Sequence, residues 1–149
     1  MPIKSEKIEA ICEFFSFFSC YCNQAFFDRE VELFDKYCLD WIDNEDISHQ
    51  DLEILVQFYH GIADRDAADA FVRFSCILME NAPKDLCDSN IKRILCQYLR
   101  SINYESVDAD LLKRLIQNMF NGMNENEYHQ NPFFIDAVTQ IAFFRKEYQ

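Results

Sequence analysis

The sequence predicts an all-α domain, and three features of its composition carry that prediction. Half of the 149 residues are apolar and fifteen of them are Phe, which is too much hydrophobic surface for a disordered chain. Only two glycines and three prolines are present. A β-sandwich or a doubly wound α/β domain needs many more tight turns, so this scarcity favours long helices. The length suits a single helical domain over residues 1–149.

Seven helices follow from capping residues and from apolar residues at helical spacing. Ser5 precedes the first helix, which runs to about Asn23. Asp28 is predicted to cap a second helix that ends near Ile42.

The third and fourth helices have the clearest apolar faces. Ser48 and Asp51 form a variant of the capping box, in which the acid is one carbon shorter than the usual Glu. The face of the third helix consists of Leu52, Leu55, Val56, Tyr59 and Ile62. Asp64 or Asp66 opens the fourth helix, which stops before Pro83. Its apolar residues are Ala70, Phe71, Phe74, Ile77 and Leu78.

The remaining three helices have equally distinct boundaries. Asp88 or Ser89 opens the fifth, with Ile91, Ile94, Leu95, Tyr98, Leu99 and Ile102 on its apolar side. Ser106 opens the sixth, Gly122 ends it, and a wide stripe includes Val107, Leu111, Leu112, Leu115, Ile116, Met119 and Phe120. Asn131-Pro132 begins the last helix, with Phe134, Val138, Ile141 and Phe144 inward.

Two arrangements of these helices agree with the sequence. Short connections favour a compact bundle of about seven antiparallel helices. Helix starts near residues 48, 88 and 131 are about 40 residues apart, which is the length of a HEAT-like helical hairpin. No residue pattern repeats within these units, so the bundle is placed slightly ahead of a short stack of hairpins.

The charge distribution restricts the class of partner. The net charge is −12, and residues 1–74 hold 16 acidic and 6 basic side chains against 10 and 8 in residues 75–149. An acidic surface repels phosphate backbones and anionic membranes, which argues against direct nucleic-acid binding and membrane insertion. A basic protein partner would be steered toward the first half. The alternative is that the acidity only keeps a Phe-rich domain in solution.

The cysteines favour an intracellular, cytoplasmic location. Seven are present, so any full disulfide scheme leaves one over, and most lie among apolar neighbours where a free thiol acts as a small hydrophobe. Glu9 and Glu13 interrupt the first apolar stretch, which is atypical of a cleaved signal peptide. We therefore expect seven free thiols.

The segment DWIDNEDISHQDLEI, residues 40–54, carries six carboxylates and no Lys or Arg. As a calcium loop it lacks an oxygen ligand at its third position and a glycine at its sharp turn. The preferred interpretation is a solvated acidic loop that contributes to partner docking. Its acidic residues are Asp40, Asp43, Glu45 and Asp46.

The segment FFSFFSCYCNQAFF is aromatic around most of a helical circumference. Its large side chains include Phe14, Phe17, Phe18 and Tyr21. A helix that is apolar all round is normally buried. The alternative is that one side receives a partner or a second copy in a homodimer.

No sequence motif indicates catalysis, a cofactor or a metal ion. Cys20 and Cys22 point to different sides of a helix, and no histidine lies at a matching spacing. The predicted function is therefore a non-enzymatic protein-interaction module, an adaptor or inhibitor that binds through a helical groove and an acidic surface. An enzyme or small-molecule binder with a pocket inside the bundle is the alternative.

Overall fold

The computed structural model describes residues 10, 24–43, 47–63, 68–121 and 125–147. Six helices of eleven or more residues and one short helix occupy most of these ranges, in which no strand occurs. They are α1 (Gln24–Asp43), α2 (His49–Ala63), α3 (Ala68–Asn81), α4 (Ser89–Leu99), α5 (Ala109–Asn121), α6 (Glu125–Gln130) and α7 (Phe134–Glu147). The all-α prediction is confirmed. The first predicted helix, residues 5–23, lies outside the described residues except for Ala10, which is helical.

Two of the predicted N-terminal caps are formed by side chains. The Ser48 and Asp51 side chains each accept from the other's backbone N–H at 3.2 Å, which completes a capping box at the start of α2. At α4, Asp88 Oδ1 accepts from the N–H of Ile91 at 3.0 Å. These contacts satisfy N–H groups that a helix start otherwise leaves without partners.

The start of α7 is capped in the same way. Asn131 Oδ1 accepts from the N–H of Phe133 at 3.1 Å, so Asn131 caps this helix as predicted. Regular helix is reached at Phe134 rather than at Pro132.

Two predicted starts were wrong. Asp28 lies inside α1, which already includes Gln24 and Ala25, because both of these residues favour helix. Ser106 also does not open α5. It lies in a turn, and the first helical hydrogen bond runs from the N–H of Leu112 to the carbonyl of Asp108 at 3.0 Å.

One short helix was missed. The six residues of α6 lie in the segment between Gly122 and Asn131, which was left without a helix. Its sequence, ENEYHQ, has no apolar face to reveal it.

The apolar faces of the helices meet in one core. On α2, Leu52, Leu55, Val56 and Tyr59 are fully buried, as predicted, whereas the side chain of Ile62 lies outside the description. The largest fully buried side chains elsewhere are Tyr104, Phe71, Phe74 and Phe134. Phe120 departs from its predicted stripe, because at the end of α5 its ring lies beside Phe134 and remains 53% exposed.

The extensive helix contacts follow two rows. Helices α1, α3 and α5 form one row, α2, α4 and α7 form the other, and the rows meet where α2 contacts α3 and α5 contacts α7. Within the first row, Arg114 of α5 binds both carboxylate oxygens of Glu80 on α3, at 2.7 and 2.5 Å. These contacts between helices far apart in the sequence form a compact helical bundle, as predicted.

None of the described helices is long and apolar enough to cross a membrane.

Candidate functional site

Helix α1 has one buried face and one exposed face. The buried face consists of Val31, Asp35, Cys38 and Ile42, spaced at three or four residues. The exposed face consists of Arg29, Glu32, Leu33, Lys36, Tyr37 and Asp40. Each face includes residues that are unexpected there: an acid on the buried side and two large apolar side chains on the exposed side.

The buried acid, Asp35, has two partners on other helices. The Tyr59 hydroxyl of α2 donates to Asp35 Oδ1, and Arg73 Nε of α3 donates to Oδ2 at 3.4 Å. A second nitrogen of Arg73 binds Asp69 Oδ2 at 2.7 Å. Cys38 Sγ lies 3.9 Å from the Tyr59 hydroxyl. Together Asp35, Cys38, Tyr59, Asp69 and Arg73 form what we call the Asp35 cluster.

Burial and neighbouring charges shift the pKa values of this cluster. Burial raises the pKa of Asp35, although the hydrogen bond from Tyr59 and the charge of Arg73 act in the opposite direction. Burial also raises the pKa of Tyr59 well above its ordinary value, so the phenol keeps its proton and remains a donor. Burial lowers the pKa of Arg73, but Asp35 and Asp69 outweigh that effect and leave it raised.

The geometry of the Asp35 cluster fits a structural role. Both oxygens of Asp35 accept a hydrogen bond from the protein, and the side chain is 8% exposed. The cluster therefore ties α1 to α2 and to α3, and satisfies a buried carboxylate that would otherwise be costly.

The exposed face of α1 carries Leu33 and Tyr37, which are 47% and 61% exposed. They are four residues apart and so adjacent on one side of the helix. Four charged side chains are also exposed on this face, the bases Arg29 and Lys36 and the acids Glu32 and Asp40. We call Glu32, Leu33, Tyr37 and Asp40 the α1 surface. It combines an apolar centre with a border of charges of both signs.

The predicted acidic residues are only partly described. Asp40 is exposed on α1, and Asp43 is the last residue of that helix, with a side chain outside the description. Glu45 and Asp46 lie outside the described residues, as do Phe14, Phe17, Phe18 and Tyr21. For these residues the predicted role in docking stays a prediction.

The sequence patterns did not predict Asp35, Leu33 or Tyr37 as site residues. A signal for the last two was present, because in VELFDKYCLD they lie opposite the row through Val31 and Cys38. No local signal marked Asp35, because its partners Tyr59 and Arg73 are 24 and 38 residues away.

Other polar contacts tie helices together at the surface. His49 Nε2 lies 3.0 Å from Asp88 Oδ2, so the residue that caps α4 also meets the start of α2. Asn118 joins the Glu80–Arg114 pair with a 2.6 Å hydrogen bond to Glu80. Among the residues the structure describes, no group of three or more His, Cys, Asp or Glu could hold a metal ion.

Comparison with protein families, with characterised proteins and with solved structures gives no match.

Proposed function

We propose that the protein is a non-enzymatic interaction module, an adaptor or inhibitor, and that its α1 surface is the docking site. The observation that carries this proposal is the exposed pair Leu33 and Tyr37 on an otherwise polar helix face. Single exposed apolar residues are ordinary on a protein surface, but adjacent ones bordered by charge are typical of an interface centre with a polar rim. Tyrosine is enriched among the residues that dominate binding energy.

The partner we propose is a protein with a basic, partly apolar surface. Arg29 and Lys36 balance Glu32 and Asp40 beside the apolar pair, so the acidic character comes from Asp43, Glu45 and Asp46, which follow in the chain, and from the excess of acids in residues 1–74. Such an excess accelerates encounter with a cationic partner, while apolar contact holds the complex together.

We further propose that the protein acts in the cytoplasm. The support comes from Cys38, Cys76, Cys87 and Cys96, which are buried and form no disulfide. Burial raises the pKa of Cys76 and of Cys96 to about 11, which keeps both as unreactive thiols. Buried reduced thiols are typical of a reducing compartment.

Affinity capture with matched variants tests the docking proposal. Leu33→Ser combined with Tyr37→Ser removes the apolar centre, and Phe120→Ser removes an exposed aromatic from α5 as the control. We expect a protein that is retained by the native chain and by the control but lost with the double variant. With that partner purified, the double variant should bind at least about tenfold more weakly, as expected when interface anchors are removed.

For this comparison to be valid, the control and the double variant must both unfold at about the same temperature as the native protein. Equal binding of the purified partner by native protein and double variant would contradict docking at the α1 surface.

The Asp35 cluster favours a second candidate function, a small-molecule site inside the helical array. A buried carboxyl with a raised pKa is characteristic of functional sites. This candidate ranks second because both Asp35 oxygens are already engaged by Tyr59 and Arg73. A metabolite whose thermal stabilisation of the protein disappears in Asp35→Asn would place it first.

A further inference from the structure

Helix α7 carries two apolar stripes on opposite sides. Its inner stripe includes Phe134, Ala137 and Ile141, all buried in the core. Its outer stripe consists of Ile135, Thr139, Ala142 and Phe143, at the spacing of one helix face. Ile135 and Phe143 are 53% and 58% exposed, Thr139 is exposed and Ala142 is partly buried.

The outer stripe faces away from the neighbouring helices. On one side of α7, Gln140 donates to the carbonyl of Ile102 beyond α4 at 3.1 Å, and Asp136 lies 3.6 Å from Arg100. On another side, the ring of Phe134 meets that of Phe120 on α5. Successive residues of a helix are rotated by about 100°, so the outer stripe lies on the side of α7 that faces neither α4 nor α5.

The outer stripe is therefore an apolar surface that none of the described helices covers. Ile135 and Phe143 are its largest side chains. Exposed apolar surface of this kind is typical of an interaction site.

The order of residues along the stripe is self-complementary. Ile135 and Phe143 are eight residues apart, about 12 Å along the helix axis, and Thr139 lies midway between them. A second α7 running antiparallel, related by a twofold axis at Thr139, would place Ile135 of each copy against Phe143 of the other. Such reciprocal contacts are the property of an isologous interface. The small side chains of Thr139 and Ala142 leave room for close approach.

Charge also favours a second copy at this end of the molecule. Residues 75–149 carry 10 acidic and 8 basic side chains, whereas residues 1–74 carry 16 and 6. Two copies that meet through their second halves avoid the repulsion that two acidic first halves would suffer. We propose that the outer stripe of α7 is a homodimer interface, formed by antiparallel α7 helices around a twofold axis at Thr139.

Sedimentation equilibrium of the full chain and a charge-rescue experiment test this interface. Ile135→Lys and Phe143→Asp should each weaken dimerisation at least about tenfold, because each places a charge against an apolar partner on both sides of the axis. An equimolar mixture of the two variants should regain dimer, because the new Lys faces the new Asp across one contact and the other contact is native. Phe120→Lys on α5, which changes another exposed apolar side chain to Lys, is the matched control and should dimerise normally.

A covalent trap provides a measurement that does not depend on these variants. Thr139→Cys should form a disulfide-linked dimer on mild oxidation, with the 139–139 link identified by mass spectrometry, whereas Ser101→Cys in the exposed turn after α4 should not. The proposal is overturned by a native chain that stays monomeric at every concentration, or by a dimer that neither charged variant weakens. Failure of the mixture to recover dimer would exclude the antiparallel register. Open-ended growth blocked by Leu33→Lys would mean head-to-tail association instead.

Discussion

The two faces of α1 depart in opposite ways from the rule that apolar side chains are buried and charged ones are exposed. The inner face buries an acid, Asp35, among apolar residues, whereas the outer face exposes two large apolar residues, Leu33 and Tyr37, among charges. The fold compensates for the first departure with the Tyr59 hydroxyl and the Arg73 guanidinium. The second departure stays at the surface, where Leu33 and Tyr37 are 47% and 61% exposed. Large apolar side chains exposed side by side are candidates for contact with a partner.

The same comparison separates stability from binding. A buried carboxylate contributes little net stability even when it is well paired, but the loss of its partner leaves it uncompensated. An exposed apolar side chain contributes little to folding and can contribute much to association. Changes on the inner face should therefore alter unfolding, and changes on the outer face should alter binding.

The largest difference is expected between Ile42→Ala and Leu33→Ala, two truncations on one helix. Ile42 is 0% exposed, so its truncation leaves a cavity and should lower the free energy of unfolding by about 2–5 kcal/mol. Leu33 is 47% exposed and should cost less than about 1 kcal/mol. Urea unfolding followed by circular dichroism measures both. Equal losses would mean that the two faces of α1 do not differ as described.

Removing one oxygen atom gives the next largest contrast. Tyr59→Phe deletes the hydroxyl that donates to buried Asp35, which should cost about 1–3 kcal/mol in the free energy of unfolding. Tyr98→Phe makes the same chemical change at a partly exposed side chain and keeps its ring contacts with His60 and Phe71, so its expected cost is under about 0.5 kcal/mol. Thermal unfolding of the two variants measures both costs. A negligible effect of Tyr59→Phe would remove the basis for the Asp35 cluster.

The response to pH should differ in sign between a buried and a surface carboxylate. Burial raises the pKa of folded Asp35 above 3.8, so the folded state keeps a proton that the unfolded state has lost, and this contribution to stability falls as pH rises through the window. Arg114 lowers the pKa of folded Glu80 below 4.5, so its contribution is present above that pH and is lost as pH falls.

Urea unfolding between pH 3 and 7 should therefore give opposite slopes for two differences. The stability of native protein relative to Asp35→Asn should decrease with pH, and its stability relative to Glu80→Gln should increase. Slopes of the same sign would show that one of the two environments is incorrectly described.

The smallest effect on folding is expected from the acidic segment. Changing Asp40, Asp43 and Asp46 to Asn and Glu45 to Gln should alter the free energy of unfolding by about 0.5 kcal/mol or less, as for surface charges generally. The same change should slow association with a basic partner and flatten its salt dependence, because rim charges act mainly on the on-rate. An unchanged association rate and an unchanged salt dependence would mean that the segment only keeps the protein in solution. A rise in melting temperature on calcium addition would favour an ion-binding loop.

Local signals in the sequence predicted much of the fold. The capping box of Ser48 and Asp51, the Asn131 cap and the apolar face through Leu52 and Tyr59 all depend on residues within two turns of one another. Such features are visible to a reader of the sequence because the interacting groups are neighbours.

The candidate site depended on contacts that have no local record. Asp35 is one acid among many until Tyr59 and Arg73, on other helices, are known to meet it. The sequence places Leu33 and Tyr37 on one side of α1, but only the packing of α1 against α3 shows that this side is the exposed one. The two-row order of helices has the same origin, because it is a property of pairs and not of single helices.

The pairing of Asp35 with Arg73 also constrains how the chain matures on the ribosome. The two residues are 38 positions apart, and synthesis at roughly 5–20 residues per second separates their appearance by about 2–8 s. During that interval nascent α1 carries a carboxylate without its guanidinium and an apolar side, Val31 to Ile42, without α3 to cover it. Helix α1 therefore cannot complete its native contacts until α3 has been made.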